Sequence, residues 1–258
     1  MRDFVRQERL QVLLVENASI EHAETLDDFL GFHIIRDPRD IIVSGYFSHK
    51  KSHTEESIGQ NWLHHRERLN MLSKELGLVE EIEFARPRLL ELDSWDFTRP
   101  NIMEVKFEDL TFRPYCLFLK IFEFLNLIRA DELRLSDRLA QDFKALYNRS
   151  RLRVRGGLRL PGLRVPGISA ERLLGVVHRN RFEVKASGRR LGDEDPGHHY
   201  RKGQPGDWEN HLTPQHLQQL ESNHPGMLQR LGYARKPIDI SKGDPLGCSC
   251  GEGPFSSR

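Results

Sequence analysis

Two short stretches of the chain combine cationic side chains with backbone features that can hold an anion. The first, RDPRD at residues 36–40, places four charged side chains between two apolar runs. Asp37 is a favourable N-cap and Pro38 suits the first helical position, so the pattern predicts a strand followed at once by a helix. Amides at a helix N-terminus favour an anion, and Arg36 stands beside them at the strand end. Ser44 lies about two turns into the helix, near the face of Asp37.

The second stretch, HHYRKGQPGDWENHLTPQH, spans residues 198–216. Arg201 and Lys202 precede Gly203 in a segment that glycine and proline keep from being helical. A glycine beside two cations lets a backbone amide approach a phosphate closely. Trp208 adds a flat apolar face, which we expect to be packed. This stretch therefore predicts a second anion-binding segment.

Together the two stretches resemble the signatures of the sulfotransferases that use 3′-phosphoadenosine 5′-phosphosulfate (PAPS). The segment 36–44 is similar to their 3′-phosphate-binding motif, and RKGQPGDW at 201–208 is similar to their second signature, R-K-G-x-x-G-D-W. FEDL at 107–110 and the segment 182–195 resemble further family segments, so the resemblance covers roughly residues 31–232. It implies a P-loop-NTPase-like sulfotransferase fold.

Residue roles follow from this resemblance. Arg36 and Ser44 would contact the 3′-phosphate, and Arg201, Lys202 and Gly203 would complete the clamp from the opposite side. The chemistry agrees, since a phosphomonoester dianion is held by an arginine fork, a hydroxyl and backbone amides. The implied enzyme is a PAPS-dependent sulfotransferase that moves a sulfuryl group to a hydroxyl or amine of a small or carbohydrate-like acceptor. No metal is implied, because Arg, Lys and amides meet the charge of the donor.

The chain departs from the family at its beginning. The family's P-K-S-G-T-T-W stretch binds the 5′-phosphosulfate, and the thirty residues before Gly31 contain neither lysine nor glycine. We therefore expect an N-terminally incomplete fold, through truncation or divergence. The alternative function is a catalytically inactive domain that binds the 3′-phosphoadenosine nucleotide as a scaffold or sensor.

A general base in this family is commonly a histidine upstream of the first signature. His22 and His33 are the upstream histidines, and His22 is the candidate catalytic residue. Its context does not match the family's K-x-H pattern. The competing interpretation, which the context favours, is a histidine on the polar face of a helix.

The elements that must position these residues follow from hydrophobic patterning. Apolar runs predict strands at 10–15, 32–35 and 101–106. Helical patterns cover 18–30, the segment from 38 onward, 56–94 with a break near Gly77, 114–127, 131–147, 169–182, and 213–231 with a break at Pro225. Alternating strands and helices predict a single α/β domain at residues 1–234, with a mainly parallel sheet flanked by helices.

Composition narrows the possible partners. The chain has 258 residues with 39 basic and 38 acidic side chains, so its overall charge gives no argument for a nucleic-acid or membrane partner. Residues 148–167 carry six arginines without an acid, which predicts a flexible basic loop; binding of a nucleic acid or an anionic acceptor is the alternative. Residues 235–258 predict a disordered tail.

The remaining features concern location and metals. No apolar run is long enough for a membrane span, and the first residues lack the apolar core of a signal peptide, so we expect a cytoplasmic protein. The pairs His64-His65 and His198-His199 lack metal-ligand spacing with a carboxylate, and they predict solvated positions. The oligomeric state is left open.

Overall fold

The computed structural model describes residues 1–8, 10, 12–16, 18–52, 60–129, 143, 146–147 and 167–233. Within these ranges the helices are α1 (Arg2–Glu8), α2 (Ile20–Glu24), α3 (Pro38–Phe47), α4 (Gln60–Met71), α5 (Lys74–Asp93), α6 (Phe107–Phe112), α7 (Pro114–Phe124), α8 (Ala170–Arg179), α9 (Phe182–Lys185), α10 (Pro214–Asn223) and α11 (Met227–Arg230). A π-helix spans Ser48–Ser52 and a 3₁₀-helix spans Asp207–Asn210. The strands are β1 (Gly31–Ile35), β2 (Ile102–Lys106), β3 (Ile128–Arg129) and β4 (Ile168–Ser169).

The strands form two parallel pairs. β1 pairs with β2 from Gly31 opposite Ile102 to Ile35 opposite Lys106, and β3 pairs with β4. A parallel pair needs a long crossover, which α3, α4 and α5 supply between β1 and β2. The predicted α/β class with parallel strands is therefore confirmed. The register also brings the carboxyl ends of β1 and β2 to the same edge.

The main core lies between α3 and α5. Ile42 and Val43 of α3 are fully buried and pack in one cluster with Ile82 of α5. Gly77 is part of α5, where a Cβ would lie 2.7 Å from the ring of Tyr46. The helix break predicted near Gly77 therefore exists but does not fall at this glycine, which instead allows close helix packing within α5. The break comes earlier, where Ser73 caps α5.

The prediction of a buried strand at 10–15 is also wrong for the residues described there. Residues 12–15 have no strand structure, and the side chains of Val12 and Leu14 are 60% and 82% exposed. A strand needs a neighbour that satisfies its backbone, and β1 pairs with β2 alone among the described strands. The apolar composition of this run does not indicate whether a neighbouring strand is present to pair with it.

Several helix predictions hold with shorter bounds. The predicted helix 18–30 shrinks to α2, and 169–182 becomes α8 followed by the short α9. The break at Pro225 is confirmed between α10 and α11, and the FEDL segment at 107–110 lies in the helix α6. None of the described helices combines the length and apolar character that crossing a membrane requires.

Three predicted segments fall mostly outside the described residues. Of the helix 131–147, residues 143, 146 and 147 are described and are helical. Of the basic loop 148–167, Gly167 alone is described, and the tail 235–258 lies wholly outside.

Candidate functional site

Most of the charged run 36–40 is buried at the start of α3. The relative exposures of Asp37, Arg39 and Asp40 are 1%, 6% and 2%. The Asp37 carboxylate caps the helix by accepting a hydrogen bond from the Arg39 amide at 2.9 Å, as the sequence predicted for an N-cap. Buried charges persist only when they are paired, so the partner of each one defines its role.

Arg39 is a structural cation. Its guanidinium donates to Asp37 at 2.6 Å and to the backbone carbonyl of Tyr233 at 2.9 Å. It also lies 3.9 Å from the centre of the Trp208 ring, a desolvated cation–π contact that contributes about 2 kcal/mol. These contacts hold the start of α3 against the second signature and against the segment that follows α11.

Asp40 joins the two signatures directly. Its carboxylate accepts hydrogen bonds from the backbone amides of Gly206 at 2.6 Å and Trp208 at 3.0 Å. Burial raises the pKa of Asp40, although the two amide bonds and the nearby Arg36 act in the opposite direction. The two stretches, more than 160 residues apart in sequence, therefore form one unit.

Arg36 is the exception among the four charges. Its guanidinium lies 4.9 Å from the centre of the Phe107 ring, and it forms no hydrogen bond or ion pair with another described residue. Burial lowers the pKa of Arg36, and Arg201 lowers it further, while the carboxylates of Asp40 and Glu108 oppose this. The buried Nε of Arg36 has no acceptor among the described residues, which is the pattern expected of a cation that receives an anion.

The cations of the second signature share a carboxylate. Asp207 accepts from Arg201 and from Lys202, each at 2.5 Å, and Glu194 accepts a further bond from Arg201 at 2.5 Å. The guanidinium of Arg201 also stacks 4.4 Å from the centre of the Phe47 ring in α3. Arg201 and Lys202 are thus held in fixed positions by these carboxylates.

The short 3₁₀-helix brings further donors to Asp207. Burial of the Asp207 carboxylate alone would raise its pKa. Hydrogen bonds from His211, Lys202, Asn210 and Arg201 outweigh this effect and hold the pKa of Asp207 well below its usual range. His211 lies 3.1 Å from Asp207 through Nε2, while its buried Nδ1 has no partner among the described residues. Asp207 is therefore ionised at neutral pH.

Gly203 sits where no other residue fits. Its φ is +68°, and a Cβ there would run into the ring of Phe182. Both conditions favour glycine alone. The ring of Phe182, from the segment that leads to the second signature, therefore fixes the course of the chain between Lys202 and Gly206.

Ser44 lies on α3 one turn before Phe47, so it shares the helix face that contacts Arg201. Its hydroxyl has no hydrogen-bond partner among the described residues. The structure therefore brings Arg36, Arg201, Lys202 and Gly203 into one region, with Ser44 on the adjoining helix face. Contact of these residues with a phosphate stays a prediction.

His22 has a different setting. Its Nδ1 accepts a hydrogen bond from the Ser19 amide at 3.0 Å in the capping box of α2. The next residue, Ala23, packs with Ile102 at the amino end of β2, whereas Arg36 follows the carboxyl end of β1. No described hydrogen bond, ion pair or ring contact joins His22 to the clamp. Its catalytic role stays a prediction.

Sequence reasoning missed four residues that shape the region. The ring of Phe47 contacts Arg201, and the ring of Phe182 confines Gly203. Glu194 contacts Arg201, and His211 contacts Asp207. Glu194 stands in an acidic run that could have signalled a partner for the cations. The aromatic residues carried no such signal, since their patterns are those of ordinary core positions.

The chain matches no family model, and a search of curated proteins found no match.

Proposed function

We propose that this chain binds the 3′-phosphate of a 3′-phosphoadenosine nucleotide and acts as a PAPS-dependent sulfotransferase. The observation that carries the proposal is the partly buried Arg36, whose Nε has no acceptor among the described residues. Buried polar groups are normally hydrogen-bonded, so a buried donor without an acceptor points to a ligand that supplies one. A phosphate dianion at this position would supply an acceptor for Arg36 Nε.

Each residue has a definite task in this proposal. Arg36 and Arg201 hold the phosphate, the amide of Gly203 approaches it, and Ser44 donates its hydroxyl. Lys202 adds charge while Asp207 keeps both cations of the second signature in place. Asp40 and Arg39 do not touch the nucleotide; they lock the two segments together.

The transfer step needs groups beyond the clamp. The acceptor oxygen or nitrogen attacks sulfur, the bond from sulfur to the 5′-phosphate oxygen breaks, and the acceptor proton passes to a base. Adenosine 3′,5′-bisphosphate leaves. The clamp holds the part of the donor that does not react, so it contributes binding energy and orientation. The competing function, a domain that binds the nucleotide without turnover, uses the same clamp.

Calorimetric binding of adenosine 3′,5′-bisphosphate and of 5′-AMP tests the proposal. We expect the bisphosphate to bind more tightly, and Arg36→Ala to weaken it roughly 10- to 100-fold, the range for lost charge-assisted hydrogen bonds. Arg190→Ala is the matched control, because Arg190 is exposed and lies in the segment before the second signature. Equal binding of both nucleotides, or equal effects of the two variants, would reject the clamp.

A turnover assay then separates the two functions that share the clamp. Release of the bisphosphate from PAPS in the presence of hydroxyl or amine acceptors supports the transferase. Tight binding of the bisphosphate without any release supports the scaffold or sensor.

A further inference from the structure

A second cluster of polar side chains lies just beyond the end of α3 and uses no residue of the two signatures. It consists of His49, His65 and Glu81, here called the His–Glu–His cluster. His49 belongs to the π-helix Ser48–Ser52, His65 to α4 and Glu81 to α5. One ligand-type atom from each lies within 4.8 Å of the others.

Glu81 is the centre of this cluster. Its Oε2 lies 2.8 Å from His65 Nε2, and its Oε1 lies 2.9 Å from His49 Nδ1. The side chain of Glu81 is 1% exposed, that of His65 is 3% and that of His49 is 14%. Among the described residues Glu81 forms ion pairs with these two histidines and with no lysine or arginine. A carboxylate so deeply buried needs a compensating cation.

The surroundings have the character of a metal site. His65 stacks on Phe84 with ring centroids 3.7 Å apart, and Trp62 meets the His49 ring edge-on at 4.5 Å. An apolar shell of this kind limits access of water and strengthens ion–ligand interactions. Gly45 adds space, because a Cβ at that position would collide with the Glu81 carboxylate.

The second ring nitrogen of His65 has a carboxylate neighbour. His65 Nδ1 lies 3.9 Å from Glu80 Oε1, and Glu80 is itself held by Arg68 at 2.6 Å. Metal-bound histidines commonly orient their other nitrogen toward a carboxylate in this way. A π-helix is also rare and is frequent at functional sites, and here it carries His49 into the cluster.

We propose that the His–Glu–His cluster binds one Zn²⁺ ion through His49 Nδ1, His65 Nε2 and the Glu81 carboxylate. Two histidines and one glutamate form a known zinc ligand set, which leaves the fourth tetrahedral position for water or another ligand. Tetrahedral Zn²⁺ with bonds of about 2.0–2.1 Å needs ligand atoms about 3.3 Å apart, so the hydrogen-bonded atoms must separate by a few tenths of an ångström. The ion would join the π-helix, α4 and α5.

Sequence reasoning found no metal site, because each of the three residues lies 16 positions after the one before it and the set matches no ligand motif. It also treated His64 and His65 as one solvated pair. That interpretation is wrong for His65, which is buried, whereas the His64 side chain is 73% exposed. The pair therefore supplies a matched experiment.

The test uses the full chain after treatment with a chelator, titrated with Zn²⁺ in a calorimeter and with Co²⁺ in an absorption spectrometer. We expect one equivalent of Zn²⁺ to bind and Co²⁺ to give the intense visible bands of a tetrahedral site. His49→Ala, His65→Ala and Glu81→Gln should each weaken Zn²⁺ binding about 100-fold or more, beyond the 10- to 100-fold typical of residues that only hydrogen-bond to the ligands. His64→Ala should bind as the wild type does.

Several results would overturn the site. These are no binding of Zn²⁺ to the wild type, unchanged affinity in the His49→Ala variant, or an equal loss in His64→Ala and His65→Ala. Circular dichroism shows whether each variant is folded. If His65→Ala fails to fold, the partly exposed His49 decides the question, since its replacement disturbs the core least.

Discussion

The Asp40 carboxylate accepts a hydrogen bond from the backbone amide of Trp208, 168 residues later in the chain, at 3.0 Å. Together with the bond from the Gly206 amide, this contact sets the second signature against the start of α3. Neither bond involves a side chain of the second signature. The position of Arg201 and Lys202 relative to Arg36 therefore depends on a buried aspartate rather than on the cations themselves.

The two arginines of the run 36–40 should respond oppositely to replacement by methionine. Arg36→Met removes a partly buried charge without an ion pair, so we expect the free energy of unfolding to stay the same or to rise. Arg39→Met leaves Asp37 buried without its partner and should lower the free energy of unfolding by about 3–5 kcal/mol. Urea denaturation without nucleotide measures both. A large loss in Arg36→Met would mean that Arg36 is structural, which would also weaken the proposed clamp.

Gly203→Ala should destabilise the protein more than Gly188→Ala. Both glycines have positive φ, but only at Gly203 would a Cβ meet a neighbouring ring, that of Phe182. We expect Gly188→Ala to cost about 1 kcal/mol and Gly203→Ala about 1–3 kcal/mol more. Thermal unfolding of both variants tests this. In the double variant Phe182→Ala, Gly203→Ala, part of the extra stability lost in Gly203→Ala should be recovered. If the stability losses of the two single variants simply add in the double variant, the clash is contradicted.

Asp207→Asn should change the acid stability of the protein. At pH 7 we expect a loss of about 2–3 kcal/mol, less than for a fully buried pair because Arg201 and Lys202 are partly exposed. Because the pKa of Asp207 is lower in the folded than in the unfolded state, its stabilisation is complete above the unfolded pKa of about 3.9 and declines as the pH falls below it. The free energies of unfolding of the wild type and the variant should therefore converge as the pH falls below about 4. Urea denaturation from pH 7 to pH 2.5 measures this difference in the free energy of unfolding. A difference that stays constant over that range would contradict the prediction.

His224 should make the protein less stable in mild acid. Burial lowers its pKa, the neighbouring Asp93 and Glu83 oppose this, and neither ring nitrogen has a hydrogen-bond partner among the described residues. The unfolded chain therefore binds a proton more readily, so stability is lost as the pH falls below about 6.5. His224→Leu should reduce this loss between pH 6.5 and 5, whereas His64→Leu at an exposed position should not. Thermal melts across that range provide the comparison.

Local patterns predicted the local structure well. The helix start at Pro38, the N-cap at Asp37 and the break at Pro225 depend on the conformational preferences of single residues, and each was confirmed. The parallel pairing of β1 and β2 followed from the alternation of strands and helices. Such features could be predicted because neighbours in sequence determine them.

Features that depend on distant neighbours could not be predicted in this way. Gly77 is typical of a helix break by sequence, yet it lies within α5 because the ring of Tyr46 needs its space. The apolar run 12–15 has no partner among the described strands, and its side chains at 12–14 are exposed. His65 is buried although its neighbour His64 is not, because only one of them faces Glu81.

The bonds around residues 37–40 also determine when the fold can be completed during synthesis. At 5–20 residues per second, the ribosome adds the 168 residues between Asp40 and Trp208 in roughly 8–34 s. The hydrogen bond from Arg39 can form only later still, because its carbonyl acceptor belongs to Tyr233, 194 residues downstream. Until then these charges remain hydrated in a nascent chain. The start of α3 thus leaves the ribosome well before it reaches its final environment, and a chain stalled before Tyr233 would leave Arg39 without that bond.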